Sequence, residues 1–159
     1  MGNRKIEETI TYRNILIAVD GSKCSKRALL QAVHMANAGY EKMMAVYVLD
    51  RSAMFMYAAN YDQFAFVDTL SHDGERVLAD AQAVMAGHRL KCDVEVAETD
   101  NISEDVADCL LRCALRNGAD LVVMGTHGRR GMSRITMGSV AERFLRFSCC
   151  PVLLVREMQ

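Results

Sequence analysis

The chain has 159 residues, which fits one domain spanning 1–159, and 51% of them are hydrophobic, enough for a core without disulfides or metal. Its formal net charge of -1 gives no overall field for nucleic acid or an anionic membrane surface, so neither is expected as a partner. Residues 1–11 are expected to be a flexible segment without a signal-peptide core, and no apolar run is long enough for a membrane span, so we expect a cytoplasmic protein.

Apolar runs alternate with amphipathic helical patterns along the chain. Nearly continuous runs such as NILIAV are typical of strands buried on both faces, whereas the alternation in CDVEVAE indicates a half-exposed edge strand. Ser22 and Ser103 are the predicted N-caps of the first and third helices, Glu104 and Asp105 are placed in the first turn of the third, and Gly39 ends the first. The predicted elements are strand 14–19, helix 22–39, strand 43–49, helix 65–87, strand 92–98, helix 103–118, strand 120–124, helix 139–148 and strand 151–155.

This strict alternation predicts an α/β fold. A single three-layer domain is expected, with a five-stranded parallel sheet of flavodoxin-like order 3-2-1-4-5, helices on both faces and right-handed crossovers. In such sheets ligands bind beyond the carboxyl ends of the strands, where the strand order reverses. That point lies between strands one and four, which end near Asp20 and Gly125. The sequence therefore predicts a ligand site between these two residues.

The stretch GTHGRRGMSRITMGSV, residues 125–140, has the composition of an anion-binding loop. Its glycines permit positive φ or close backbone approach, and a loop that leads into a helix N-terminus can bind phosphate through backbone N–H groups. Ser139 would either cap that helix or donate its hydroxyl to a phosphate oxygen. Arg129, Arg130 and Arg134 could neutralise phosphate charge or could simply form a solvated loop face. The loop matches neither a Walker A motif nor GxGxxG.

The same loop carries a family resemblance. Gly125, Gly128, Gly138 and Ser139 match the spacing G-x2-G-x9-G-[ST], and NILIAVDGS, YVLD and CPVLLV extend the likeness over residues 12–156. In these features the chain resembles universal stress proteins of the ATP-binding branch. The resemblance implies an ATP-binding regulatory protein of the stress response and a homodimer, often formed through the last strand.

The resemblance also implies a set of cofactor-binding residues. It assigns the base to Ala18, Met124 and the backbone of Val48, the ribose to Asp20 and Gly125, and the phosphates to Gly128, Gly138, Ser139 and Val140. Arg129 completes the candidate set through its charge. Mg²⁺ could accompany the phosphates through their oxygens and water, so no protein metal ligands are expected.

Several alternatives stay open beside this interpretation. Asp20 could terminate a strand and cap a helix instead of binding ribose. His127 could contact phosphate or merely occupy the loop, and no catalytic residues are assigned. We expect a binding module, with a slow ATP hydrolase or a nucleotide transferase on the same fold as the alternative. A receiver domain is disfavoured because it needs an acidic pair after strand one, and here Gly21 follows Asp20. An FMN protein of the flavodoxin type is tested by colour, because purified protein with bound FMN would be yellow.

Three further features predict contacts. Segment 50–66 contains seven large apolar residues, which either pack on the core or form a flap near the nucleotide or a partner. Strand five, 152–155, has an edge that nothing later in the sequence covers, so we expect pairing with a second copy. Cys109 and Cys113 lie four residues apart on a helix and are expected to pack as reduced thiols.

Overall fold

A five-stranded parallel sheet lies at the centre of the computed structural model, which describes residues 12–36, 42–51, 63–100, 103–129 and 137–157. The strands are β1 (Asn14–Ala18), β2 (Lys42–Leu49), β3 (Asp93–Glu98), β4 (Leu121–Gly125) and β5 (Val152–Val155). The helices are α1 (Lys23–Ala36), α2 (Gln63–Gly87), α3 (Val106–Arg116) and α4 (Ser139–Phe147). The order β3-β2-β1-β4-β5 confirms the predicted topology.

Helices cover both faces of the sheet and give the three layers that the alternation predicts. Ile15 and Ile17 of β1 pack in one core with residues of α1 and α2, while Leu16 packs in a second core with residues of α3 and α4. Successive side chains of a strand point to opposite faces, so a central strand needs apolar residues at every position. The NILIAV run therefore forms the middle strand, whereas β3 lies at an edge and is largely half-buried or exposed.

The strand register brings the carboxyl ends of β1 and β4 level with each other. Ile17 pairs with Val123 of β4, and Ala18 pairs with Val46 of β2. β1 has β2 as its neighbour on one side and β4 on the other, so the strand order reverses at β1. The crevice beyond the carboxyl end of β1 is therefore the switch point at which ligands bind in such sheets. The polar residues that follow β1 and β4 therefore face one another, as predicted.

The two predicted serine caps have different outcomes. Ser22 caps α1, because its Oγ accepts a hydrogen bond from the backbone N–H of Ser25 at 3.1 Å. Ser103 was the wrong choice for α3, whose N-cap is Asp105 with its side chain accepting from the N–H of Asp108 at 2.9 Å. Asp105 and Glu104 consequently precede the helix rather than forming its first turn.

Glu104 is held away from the helix end by an arginine. Arg112 of α3 donates from Nε to Glu104 Oε1 at 2.9 Å and from Nη2 to Oε2 at 3.1 Å. This two-point contact orients the carboxylate towards Arg112. The hydrogen bond from Arg112 holds the pKa of Glu104 below its usual value.

The remaining boundaries follow the predicted ones closely. α1 ends at Ala36, and Gly39 lies outside the described residues. Cys109 and Cys113 are buried in the core between α3 and the sheet, as the packing interpretation expected. No helix in the described part of the chain has the length and apolar composition to cross a bilayer.

Candidate functional site

A cleft of about 580 Å³ opens above the carboxyl ends of β1 and β4. Its size is typical of a small-molecule site, and its walls combine apolar strand residues with a few polar groups. The sequence-predicted site residues all line it: Ala18, Asp20, Val48, Met124, Gly125, Gly128, Arg129, Gly138, Ser139 and Val140. The fold thus gathers residues from β1, β2, β4, the following loop and α4 around one space.

The two ends of the glycine-rich loop are joined by a backbone hydrogen bond. Gly138 N donates to Thr126 O at 2.8 Å, and Thr126 N donates to Val155 O of β5 at 2.9 Å. A Cβ at Gly138 would lie 3.0 Å from Thr126 O, and one at Gly125 would lie 2.7 Å from the Cβ of Cys24. Close approach, rather than positive φ, is therefore what these glycines provide: the described glycines with positive φ are Gly21 and Gly118.

The N-terminus of α4 faces the cleft. Gly138 occupies the N-cap with extended backbone, φ -65° and ψ 150°, so Ser139 is the first helical residue and not the cap, which was one of the two roles open to it. The first intrahelical bond is Glu142 N to Gly138 O at 2.9 Å. The N–H groups before Glu142 lie in the turn that has no intrahelical acceptor, where the helix dipole favours an anion.

Asp20 joins the turn after β1 to the loop after β4. Its Oδ1 accepts from the backbone N–H of Ser22 at 2.9 Å, and its Oδ2 accepts from that of Arg129 at 3.1 Å. A Cβ on Gly128 would lie 2.6 Å from Oδ2, so glycine is needed for this contact. Asp20 therefore connects the two turns, while the cap of α1 is Ser22 and not Asp20 as the alternative interpretation had it. A carboxylate that accepts two N–H bonds keeps lone pairs for a further donor.

Arg129 does not extend freely into solvent. Its Nε donates to the backbone oxygen of Asp20, its Nη1 donates to Asp73 of α2, and its guanidinium lies 5.9 Å from the ring centroid of Tyr47. The hydrogen bond from Arg129 is the main reason that the pKa of Asp73 lies below its usual value. Burial is the main reason that the pKa of Tyr47 is raised. Arg130, Gly131 and Arg134 lie outside the described residues.

Sequence reasoning missed several charged residues around the cleft. Asp73 lies within a long helix and carries no motif, so no local signal marked it. On the opposite wall, Arg143 of α4 contacts Asp105 at 2.8 Å and Asp108 at 3.0 Å. Asp105 and Arg143 both line the cleft. The sequence shows that α3 begins with acidic residues and that α4 carries arginines. These signals could suggest the pairing only once the two helices were known to be neighbours.

His127 contacts its neighbour in the loop and the turn after β1. Its Nδ1 lies 3.0 Å from Thr126 Oγ1, and Ser22 Oγ donates to its backbone oxygen at 3.5 Å. Within the described ranges no group of three or more His, Cys, Asp or Glu residues is placed to hold a metal ion. Most of segment 50–66 lies outside the described residues.

Comparisons with known proteins agree with this architecture. The family model described as Universal stress protein family matches residues 11–156. A universal stress protein of Methanocaldococcus jannaschii is 32% identical over 146 residues, which cover 92% of this chain and 83% of that protein. A solved structure of a universal stress protein family member from Burkholderia pseudomallei is 40% identical, with a TM-score of 0.73 and coverage of 91% of this chain and 96% of that one.

A plant structure shares the fold at lower identity. It is a universal stress protein family protein from Arabidopsis thaliana with AMP bound, 18% identical, with a TM-score of 0.66 and 92% of each chain covered. At that identity the likeness concerns the fold alone.

Proposed function

The chain belongs to the universal stress protein family, and on that premise we propose that it is an ATP-binding regulatory protein of the stress response. The observation that carries the proposal is the convergence of the motif-derived residues on one cleft at the switch point of the sheet. The AMP bound to the plant relative supports an adenine nucleotide as the ligand class.

The apolar floor of the cleft suits the base. Ala18, Val48 and Met124 lie beside the core formed with α3, and all three line the cleft. A flat heteroaromatic ring can stack in such a slot, while the backbone of Val48 would supply hydrogen bonds to its edge. We assign the ribose to Asp20 and Gly125, because Asp20 stands at the mouth of the same cleft and keeps acceptor capacity.

The phosphates would bind where the loop returns to the helix. Gly128, Gly138, Ser139 and Val140 surround this end of the cleft. Backbone N–H groups at the start of α4 supply donors, the helix dipole supplies favourable charge, and the hydrogen bond between Thr126 and Gly138 fixes the loop ends in advance. Mg²⁺ would be held through phosphate oxygens and water rather than by a protein cage.

A binding role accounts for the site better than a hydrolytic one. Two of the acids that line the cleft, Asp20 and Asp105, accept hydrogen bonds from backbone N–H groups, and Asp105 also contacts Arg143. Both carboxylates are thus engaged in holding the backbone and a neighbouring helix, which suits a binding site better than a general base. Product formation from labelled ATP at stoichiometric protein would instead support a slow hydrolase or a transferase.

Isothermal titration with ATP and GTP tests the proposed ligand. We expect one ATP per chain and weaker binding of GTP, because the base slot recognises its ligand by the edge of the ring. Absence of heat or of any thermal stabilisation by ATP, in protein with a normal melting transition, would contradict the proposal.

We further propose that two copies pair through β5. This strand forms one edge of the sheet, and its residues Val152, Leu153 and Leu154 are only half-buried. The bonds from Val122 N to Pro151 O and from Thr126 N to Val155 O show which backbone groups of β5 face β4. By alternation, the N–H of Leu154 points away from β4. Antiparallel pairing about a two-fold axis would satisfy this outer row.

A further inference from the structure

We propose that Asp73 is a positioning residue that makes the cleft discriminate against long phosphate chains by holding Arg129. The inference rests on the proposed nucleotide site and adds a determinant of which nucleotide that site prefers. Asp73 lies on α2, on the other face of the sheet from α4. It acts on the ligand only through Arg129, which lines the cleft.

Three elements fix the position of the Arg129 guanidinium. Its Nε is bound to the backbone oxygen of Asp20 after β1, its Nη1 to the carboxylate of Asp73, and its face lies over the ring of Tyr47 in β2. Arg76, one turn further along α2, contacts the other oxygen of Asp73 at 2.5 Å. The positive charge of Arg129 is therefore paired within the protein itself.

Two glycines make this arrangement possible. A Cβ on Gly74 would lie 2.7 Å from the ring of Tyr47, so only glycine lets α2 approach the sheet closely enough for the neighbouring Asp73 to reach Arg129. A Cβ on Gly21 would lie 3.1 Å from Arg129 Nη2, and the φ of Gly21 is +79°. Gly74 thus permits the packing of α2 on Tyr47, and Gly21 leaves the space beside the guanidinium, so both contribute to the position of Arg129.

The number of phosphates on the ligand determines how strongly the ion pair between Arg129 and Asp73 affects its affinity. AMP has the one phosphate that the N-terminus of α4 can bind, whereas ATP adds two phosphates that need a further cation. Arg129 follows Gly128 directly and is the described cationic side chain nearest the loop glycines in sequence. Because Asp73 neutralises this charge and fixes its position, the ion pair opposes the binding of the outer phosphates of ATP and leaves AMP unaffected.

The expected size of the effect follows from the exposure of the pair. The side chains of Arg129 and Asp73 are 41% and 25% exposed, which places the pair between a surface and a buried ion pair. Releasing Arg129 should therefore strengthen ATP binding by about two- to fivefold. Asp73→Asn removes the charge while keeping the shape, and Arg129 retains its contact with the Asp20 oxygen.

The test is titration calorimetry of ATP and AMP with Asp73→Asn and a matched control. Glu75→Gln removes the same charge from an exposed position two residues away on α2. We expect Asp73→Asn to tighten ATP binding by about two- to fivefold with AMP unchanged, and Glu75→Gln to alter neither. In an Arg129→Gln background, Asp73→Asn should have no effect on ATP, because the residue it releases is gone.

Several outcomes would overturn the inference. These are weaker ATP binding by Asp73→Asn, equal tightening of ATP and AMP, the same tightening by Glu75→Gln, or an effect that persists without Arg129. If wild-type protein binds both nucleotides and Asp73→Asn leaves the ratio of their affinities unchanged, this inference alone is contradicted. Wild-type protein that binds neither nucleotide contradicts the proposed function, and this inference with it.

Discussion

Replacing Gly138 with aspartate should abolish ATP binding and leave the domain folded. Gly138 is the N-cap of α4 with φ -65° and ψ 150°, a conformation open to any residue. Aspartate is among the best N-cap residues, so its side chain should accept the free N–H groups of the first turn. The new Cβ lies 3.0 Å from Thr126 O, which requires a small shift of the loop. The capping gain and this strain oppose each other, so the melting temperature should change by only a few degrees.

The loss of affinity has two sources that can be separated. A capping side chain occupies donors intended for phosphate, and a carboxylate also repels the phosphate by about 4 kcal/mol at 4 Å and an effective dielectric constant of about 20. Allowing for salt screening, Gly138→Asp should weaken ATP binding at least about a hundredfold. Gly138→Asn caps equally well without the charge and should weaken it much less. Titration calorimetry beside thermal melting measures both, and ATP affinities that are alike for the two variants would refute the reasoning.

Three other predictions concern the ribose, the ion pair between Glu104 and Arg112, and the sheet edge. Asp20→Ala should weaken ATP binding by about 1–3 kcal/mol, and wild-type protein should bind 2′,3′-dideoxy-ATP more weakly than ATP; equal affinities in the wild type would argue against a ribose contact. Glu104 is 12% exposed and its pKa is lowered, so its contribution is present above the unfolded pKa and is lost as the pH falls through the folded one. Glu104→Gln should reduce the free energy of urea unfolding by about 1–2 kcal/mol at pH 7 and by less near pH 3, and an equal loss at both pH values would contradict this. Leu154→Pro deletes the outward N–H of β5 and should convert the dimer to a monomer or an aggregate in sedimentation. Wild-type protein that is itself monomeric at micromolar concentration would contradict the proposed dimer.

The fold could be predicted from the sequence because its signals are local and agree with one another. The apolar run of β1 required burial on both faces, and the alternation of β3 required an edge, and both agree with the strand order β3-β2-β1-β4-β5. The candidate site followed from that order and from the spacing of Gly125, Gly128 and Gly138. Each of these inferences depends on residues close together in the chain.

The contacts that sequence reasoning missed join residues far apart in the chain. Arg129 and Asp73 are separated by 56 positions, and their pairing depends on how closely α2 approaches Tyr47. The cap of α3 was misplaced for a similar reason, because two acids and a serine compete there. The structure shows that Asp105 caps α3 and that Glu104 is bound by Arg112 from within the helix. Such choices depend on tertiary packing, which capping preference alone does not describe.

Native mass spectrometry of the protein titrated with ATP tests the central claim most directly. The account predicts a mass increase of one ATP per chain, lost in Gly138→Asp and displaced by excess AMP. Wild-type protein that acquires no adenine nucleotide at saturating ATP, while remaining folded in the same spectrum, would contradict the assignment of the cleft.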